Sequence, residues 1–114
     1  MKKENKYKAS KILEEVSRLK KEYPEAVYSP GPSIVTCSYS KGHVKNGPKT
    51  KGCPIGQAIR NVYPDLFEKV KNGYDTEAVD EVLCSTEIVC SEKQKERLLK
   101  IQANNDDLQK WGKC

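Results

Sequence analysis

Ile12, Val16, Leu19 and Tyr23 recur at intervals of four, three and four residues, the spacing that lines one face of a helix with apolar side chains. This predicts a helix from about Ala9 to Tyr23, ended by Pro24. Its other faces carry Lys11, Glu14, Glu15, Arg18, Lys20, Lys21 and Glu22, which read as a solvated surface rather than a binding signature. The lysines at positions 2, 3, 6 and 8 read as a flexible basic lead-in over residues 1–8.

Beyond Pro24 the pattern changes period. The turn-forming run Ser29-Pro30-Gly31-Pro32-Ser33 precedes Ile34-Val35-Thr36-Cys37-Ser38-Tyr39, whose β-branched and aromatic content predicts a strand with Val35, Cys37 and Tyr39 on the core side. Lys41-Gly42 and Asn46-Gly47-Pro48 are turn signals, so residues 41–51 read as a basic loop or irregular hairpin, with a short return strand over about Lys49 to Cys53.

Helical spacing then returns. Pro54 suits a first helical position, and Ile55, Ala58, Ile59 and Val62 form an apolar stripe, with Gly56 in the first turn leaving room for another backbone to approach. Pro64-Asp65 restarts the chain into Leu66, Phe67 and Val70, and Asn72-Gly73 closes that segment. Asp75 is placed to cap a helix carrying Ala78, Val79, Val82 and Leu83. Ser91-Glu92-Lys93-Gln94 has the form of a capping box, which opens a last helix to about Asn104 with Leu98 and Ile101 facing the core. The tail carries Leu108 and the single Trp, Trp111. The expected fold class is therefore α+β: an N-terminal helix, a small antiparallel β-hairpin or sheet, then three to four helices. At 114 residues these elements fit one domain, 1–114.

Charge sharpens this picture because it is unevenly spread. Residues 1–53 hold twelve Lys and Arg against five Asp and Glu, a balance of +7, whereas residues 54–114 hold nine against eleven, a balance of −2. Ala26 to Pro64 contains no acid at all. Clustered cations attract phosphates, nucleic acids or an acidic protein face. Candidate binding residues are Tyr39, Lys41, His43, Lys45, Lys49, Lys51 and Arg60, with Tyr39 and Tyr63 available to stack on bases. The chain has no apolar run long enough to span a bilayer and begins on polar sequence, so the expectation is a cytoplasmic protein without a membrane partner.

Candidate chemistry is sparse. Five Cys with one His and no Cys-x-x-Cys pair make a poor zinc set, so no metal or cofactor is expected. Cys53, at a helix start beside Lys49 and Lys51, is the best nucleophile, yet only His43 could serve as its base. A buried thiol, with Cys37 and Cys53 packed on neighbouring strands, is the competing reading. Walker and dinucleotide glycine patterns are absent, and no carboxylate pair stands out, so the expectation is not an enzyme, with a Cys53-dependent thiol enzyme as an alternative.

Cys37-x-Tyr39, Gly52-Cys53-Pro54-Ile55-Gly56-Gln57-Ala58-Ile59 and Ile101-Gln102-x-x-Asn105-Asp106 with Trp111-Gly112 resemble a family of short proteins of bacteriophages, prophages and actinobacteria. Gln57 stands where that family commonly has His, Asn105 where it has Gln, and Leu108 where it has Gly. The resemblance implies a shared fold and a mobile-element origin, and carries no activity. A Cys entering a helix ahead of Gly suits a tight corner, and the terminal Trp-Gly suits a plug that docks the last helix on that corner. With the basic loop, this favours a small phage-type binding protein, an anti-defence inhibitor such as one of a CRISPR effector, acting in a bacterial host's cytoplasm. Its expected partner is a host protein or nucleoprotein complex; direct DNA or RNA binding is the alternative.

Overall fold

Tyr7, Ala9, Ile12, Val16 and Leu19 are all buried, so the first apolar stripe of the chain is also its first core face. In the computed structural model, which describes residues 7–29, 39–40, 43–48, 51–74, 79–86, 88–106 and 110–113, that stripe belongs to helix α1, Ala9–Glu22. Burying Ile12, Val16 and Leu19 contributes on the order of 1.5–3 kcal/mol each. The opposite face satisfies itself: Arg18 makes a bidentate pair with Glu15, at 2.6 and 2.8 Å, and a second with Glu22. The Arg18 guanidinium, hydrogen-bonded to Glu15, holds that carboxyl below its ordinary range.

Strand β1 is Val27–Ser29 and pairs antiparallel with β2, His43–Lys45, in the register Val27 to Lys45, Tyr28 to Val44 and Ser29 to His43. This two-stranded sheet is the antiparallel element expected of the α+β class, built from other residues. Of the expected strand Ile34–Tyr39, only Tyr39 is among the described residues, and it lies in a bend. The return strand over Lys49–Cys53 does not form at 51–53, while 49–50 lie outside the described residues. Pairing falls instead within the segment read as loop, because Val44 packs on the core opposite Tyr28 and the turn that follows can close. Asn46 there takes a left-handed φ of 61°, which its short polar side chain tolerates. A Cβ on Gly47 would stand 2.5 Å from Val44 Cγ1, so only glycine fits beside it.

Helices α2 (Pro54–Val62), α3 (Pro64–Gly73), α4 (Val79–Ser85) and α5 (Glu92–Asp106) follow, then a 3-10 turn, Trp111–Lys113. The proposed cap at Asp75 lies outside the described residues. At α5 the capping box forms reciprocally: Gln94 N–H donates to Ser91 Oγ at 3.2 Å, and Ser91 N–H donates to Gln94 Oε1 at 2.9 Å. Helix α2 lies across α1 and against α3 and α5, with Ile55, Ala58 and Ile59 buried. No helix among the described residues is long and apolar enough to cross a membrane.

The expected flexible lead-in gives way to fixed structure at its last two residues. Tyr7 is buried, and Val89 N–H donates to Tyr7 O at 2.9 Å while Ala9 N–H donates to Val89 O at 2.8 Å, a parallel bridge centred on Lys8. Tyr7 OH donates to Asp65 at 2.7 Å, and its ring meets Tyr63 edge-on. Trp111 also docks elsewhere than expected. Its backbone N–H donates to Ala26 O and that of Gly112 to Pro24 O, so the plug seats on the α1–β1 connection. The carbonyls of Pro24 and Ala26 accept these two bonds, whereas the Cys53 corner engages its own amides and carbonyls locally.

Candidate functional site

The candidate site is built around the corner Gly52-Cys53-Pro54, where the chain leaves the basic segment and enters α2. Cys53 occupies the N-cap with extended dihedrals, and its Sγ accepts from Gly56 N–H at 3.4 Å. Gln57 N–H donates to Cys53 O at 2.9 Å, and the Gln57 side chain donates to Gly52 O at 3.0 Å. These bonds consume the polar groups of the corner, and the first six residues of α2 are buried.

Tyr39 is the residue that this corner receives. A Cβ on Gly52 would lie 2.2 Å from Tyr39 O, and one on Gly56 would lie 2.1 Å from the same atom. Two backbones therefore touch where two glycines permit it, and Gly52 also has φ +109°, a conformation that L side chains rarely adopt. The Tyr39 ring is 0% exposed, and its OH accepts from Gln102 Nε2 at 2.8 Å. The same Gln102 accepts, at Oε1, from Val79 N–H at 2.9 Å, tying the Tyr39 segment and the start of α4 to α5.

The expected base-stacking role of Tyr39 is thereby corrected: the ring is a core side chain with no face in solvent. Tyr63 is half-buried, set against Tyr7, and its OH accepts from Lys8 N–H at 3.1 Å. Burial won at Tyr39 because its phenol found a hydrogen-bond partner inside the fold.

The cations separate differently. Lys45 on β2, Lys51 just before the corner and Arg60 on α2 are all exposed. Arg60 is held with its guanidinium carbon 5.8 Å from the Phe67 ring centroid, a cation–π contact. His43 takes its backbone place in β2 opposite Ser29. Lys41 and Lys49 lie outside the described residues. Lys51 thus stands exposed just before the corner and Lys45 on the β1–β2 ribbon, while the Tyr39 ring is buried.

Cys53, 1% exposed, is an N-cap rather than a member of a strand pair, and Cys37 lies outside the described residues. Cys84 is exposed, and burial with the neighbouring Glu92 pushes the Cys90 thiol up from its ordinary value. Among the described residues, no three His, Cys, Asp or Glu side chains are grouped to hold a metal ion.

Gln102 is the important residue that reading the sequence missed. Its signal was present: residues 98, 101, 102 and 105 share one face of α5, and a Gln among Leu98 and Ile101 on a core stripe needs an internal partner. Comparison of the chain with protein-family models, with curated proteins and with solved structures finds no match in any of the three.

Proposed function

We propose that this chain is a small phage-type binding protein that acts, without catalysis of its own, on a nucleoprotein complex of a bacterial host. The observation that carries this reading is a contrast in exposure: Cys53 and Tyr39 are buried, while Lys45, Lys51 and Arg60 are exposed. A nucleophile needs access to its substrate and a base within reach. A binding surface needs charge on a rigid mount, which the β2 strand and the capped α2 supply.

Anti-defence activity, such as inhibition of a CRISPR effector, is the biological role that this reading assigns, in the cytoplasm of the infected cell. Exposed ammonium groups suit either the phosphates of the bound nucleic acid or an acidic face of the effector. The test is titration of purified protein against labelled host effector complexes and against free DNA and RNA at two salt concentrations. Saturable binding to a complex that survives the higher salt is expected; absence of binding to every complex and every nucleic acid would overturn the reading.

A further inference from the structure

The two longest helices arrange their charges differently. On α1, Lys11 pairs with Glu14 at 3.7 Å and Arg18 is shared by Glu15 and Glu22, so these charges are met on the helix itself. On α5, Lys93, Arg97 and Lys100 are exposed and follow one another at intervals of four and three residues, which sets them in one row. They rise along the helix axis by about 6 Å and then about 4.5 Å. Among the described residues, none of the three forms an ion pair. Glu96 stands four residues before Lys100, the order in which a Glu and a Lys support a helix, and the two still do not pair.

The row works against its own helix. Lys93 and Arg97 are like charges four residues apart, and Lys93 sits in the first turn, where the helix dipole favours an anion. Packing does not account for it, since the buried face of α5 is Leu98, Ile101, Gln102 and Asn105. A row of cations that opposes its helix and stays unpaired is suited to anions supplied from outside. Its neighbours decide which anion. Glu92 and Lys95 lie toward Cys90, whose thiol is pushed up by burial and then by Glu92, with Lys95 acting against both, so Glu96 is the acid beside the row. A phosphodiester strand is charged at every nucleotide and would run past Glu96. A protein face can set carboxylates opposite the three cations and a hydroxyl or amide opposite Glu96. At the centre, Arg97 presents a planar fork that takes a carboxylate in two parallel bonds.

We propose that the Lys93, Arg97 and Lys100 row of α5 docks an acidic helix of a partner protein, whose carboxylates repeat at the same intervals of four and three residues. Those are the intervals at which a facing helix presents its own side chains. This inference rests on the nucleoprotein partner proposed above: it assigns a contact to the protein component of that complex, on a different element from Lys45, Lys51 and Arg60.

The experiment is an amide NMR titration of the isotope-labelled protein with an alanine-rich helical peptide carrying Glu at intervals of four and three, since exposed ion pairs give weak binding that NMR resolves. Saturable shifts along the row are expected, with affinity falling about tenfold in the Lys93→Gln/Arg97→Gln/Lys100→Gln variant. That variant should melt no lower than the parent, because like-charge repulsion is removed. A lower melting temperature overturns the proposal, since the cations would then serve the fold. Absence of shifts at the row also overturns it, as does equal binding of a peptide with its glutamates two residues apart. Oligothymidylate that shifts the same residues at lower concentration overturns it too, because the row then reads phosphates. A triple variant that binds host effector complexes as tightly as the parent overturns the row alone. A parent that binds no complex and no nucleic acid removes the proposed function and, with it, the partner assigned to the row.

Discussion

The carbonyl oxygen of Tyr39 lies 2.1 Å from where a Cβ on Gly56 would stand, so the first turn of α2 and the bend at Tyr39 share a space that only glycine leaves open. Gly56→Ala is expected to force these backbones apart and destabilise the protein by about 3 kcal/mol, the upper part of the usual overpacking range. Gly73→Ala is its control. Position 73 is helical and a Cβ there meets nothing within 4 Å, so that change should stabilise by about 0.5 kcal/mol. Urea unfolding of both variants measures the contrast, and equal effects would refute the close approach.

Gln102 holds Tyr39 OH and Val79 N–H at 2.8 and 2.9 Å, in a buried setting. Gln102→Ala leaves a buried donor and a buried hydroxyl without their partner and is expected to cost about 2–3 kcal/mol. Tyr39→Phe removes one of the two contacts. In a double-mutant cycle the pair should be coupled by about 1 kcal/mol, and simple additivity would show that the bond does not contribute.

The thiols should react in the order of their exposure. Cys84 is exposed, Cys90 is half-buried with its thiol pushed up by burial and by Glu92, and Cys53 is buried. Among these three described thiols, iodoacetamide at neutral pH followed by peptide mass analysis should modify Cys84 first, Cys90 more slowly and Cys53 only in denaturant. Cys53→Ser should keep α2 intact, since a serine hydroxyl also caps Gly56 N–H. Rapid labelling of Cys53 in the folded protein would contradict its role as a buried cap.

Alkali should loosen the N-terminal clamp. The Tyr7 hydroxyl is pushed up from 10.0 to about 12 by its hydrogen bond to Asp65, then by burial, then by the Asp65 charge. A tyrosine whose folded pKa exceeds its unfolded value adds stability that is complete below pH 10 and is lost as pH rises toward 12. Thermal melts should therefore fall across that interval. Tyr7→Phe should be less stable than the parent at pH 8 and approach it near pH 12, and a constant difference would exclude the linkage.

Much of the helical skeleton was legible because its signals are local. The stripe Ile12, Val16 and Leu19 marked α1, the Ser91 and Gln94 pair marked the start of α5, and Cys53-Pro54 with Gly56 marked both a helix start and a close approach. The sheet was harder. Tyr28 pairs with Val44 across sixteen positions of chain, and no periodicity within either three-residue strand names the other. Of the candidate residues, Lys45, Lys51 and Arg60 are exposed, as charged groups at the surface are, whereas Tyr39 is buried with its hydroxyl held by Gln102.

By itself the amino-acid sequence determined the stop of α1 at Pro24, the starts of α2 and α5, the apolar stripe of α1, and where glycine must admit another backbone. Those properties depend on dihedral preference and on residues a few positions apart. Only the tertiary structure decided that Tyr39 is the backbone admitted and that Trp111 seats on Pro24 to Ala26. Such pairings join residues far apart in the chain, and they are settled by which distant surfaces bury apolar area together while leaving their polar groups paired.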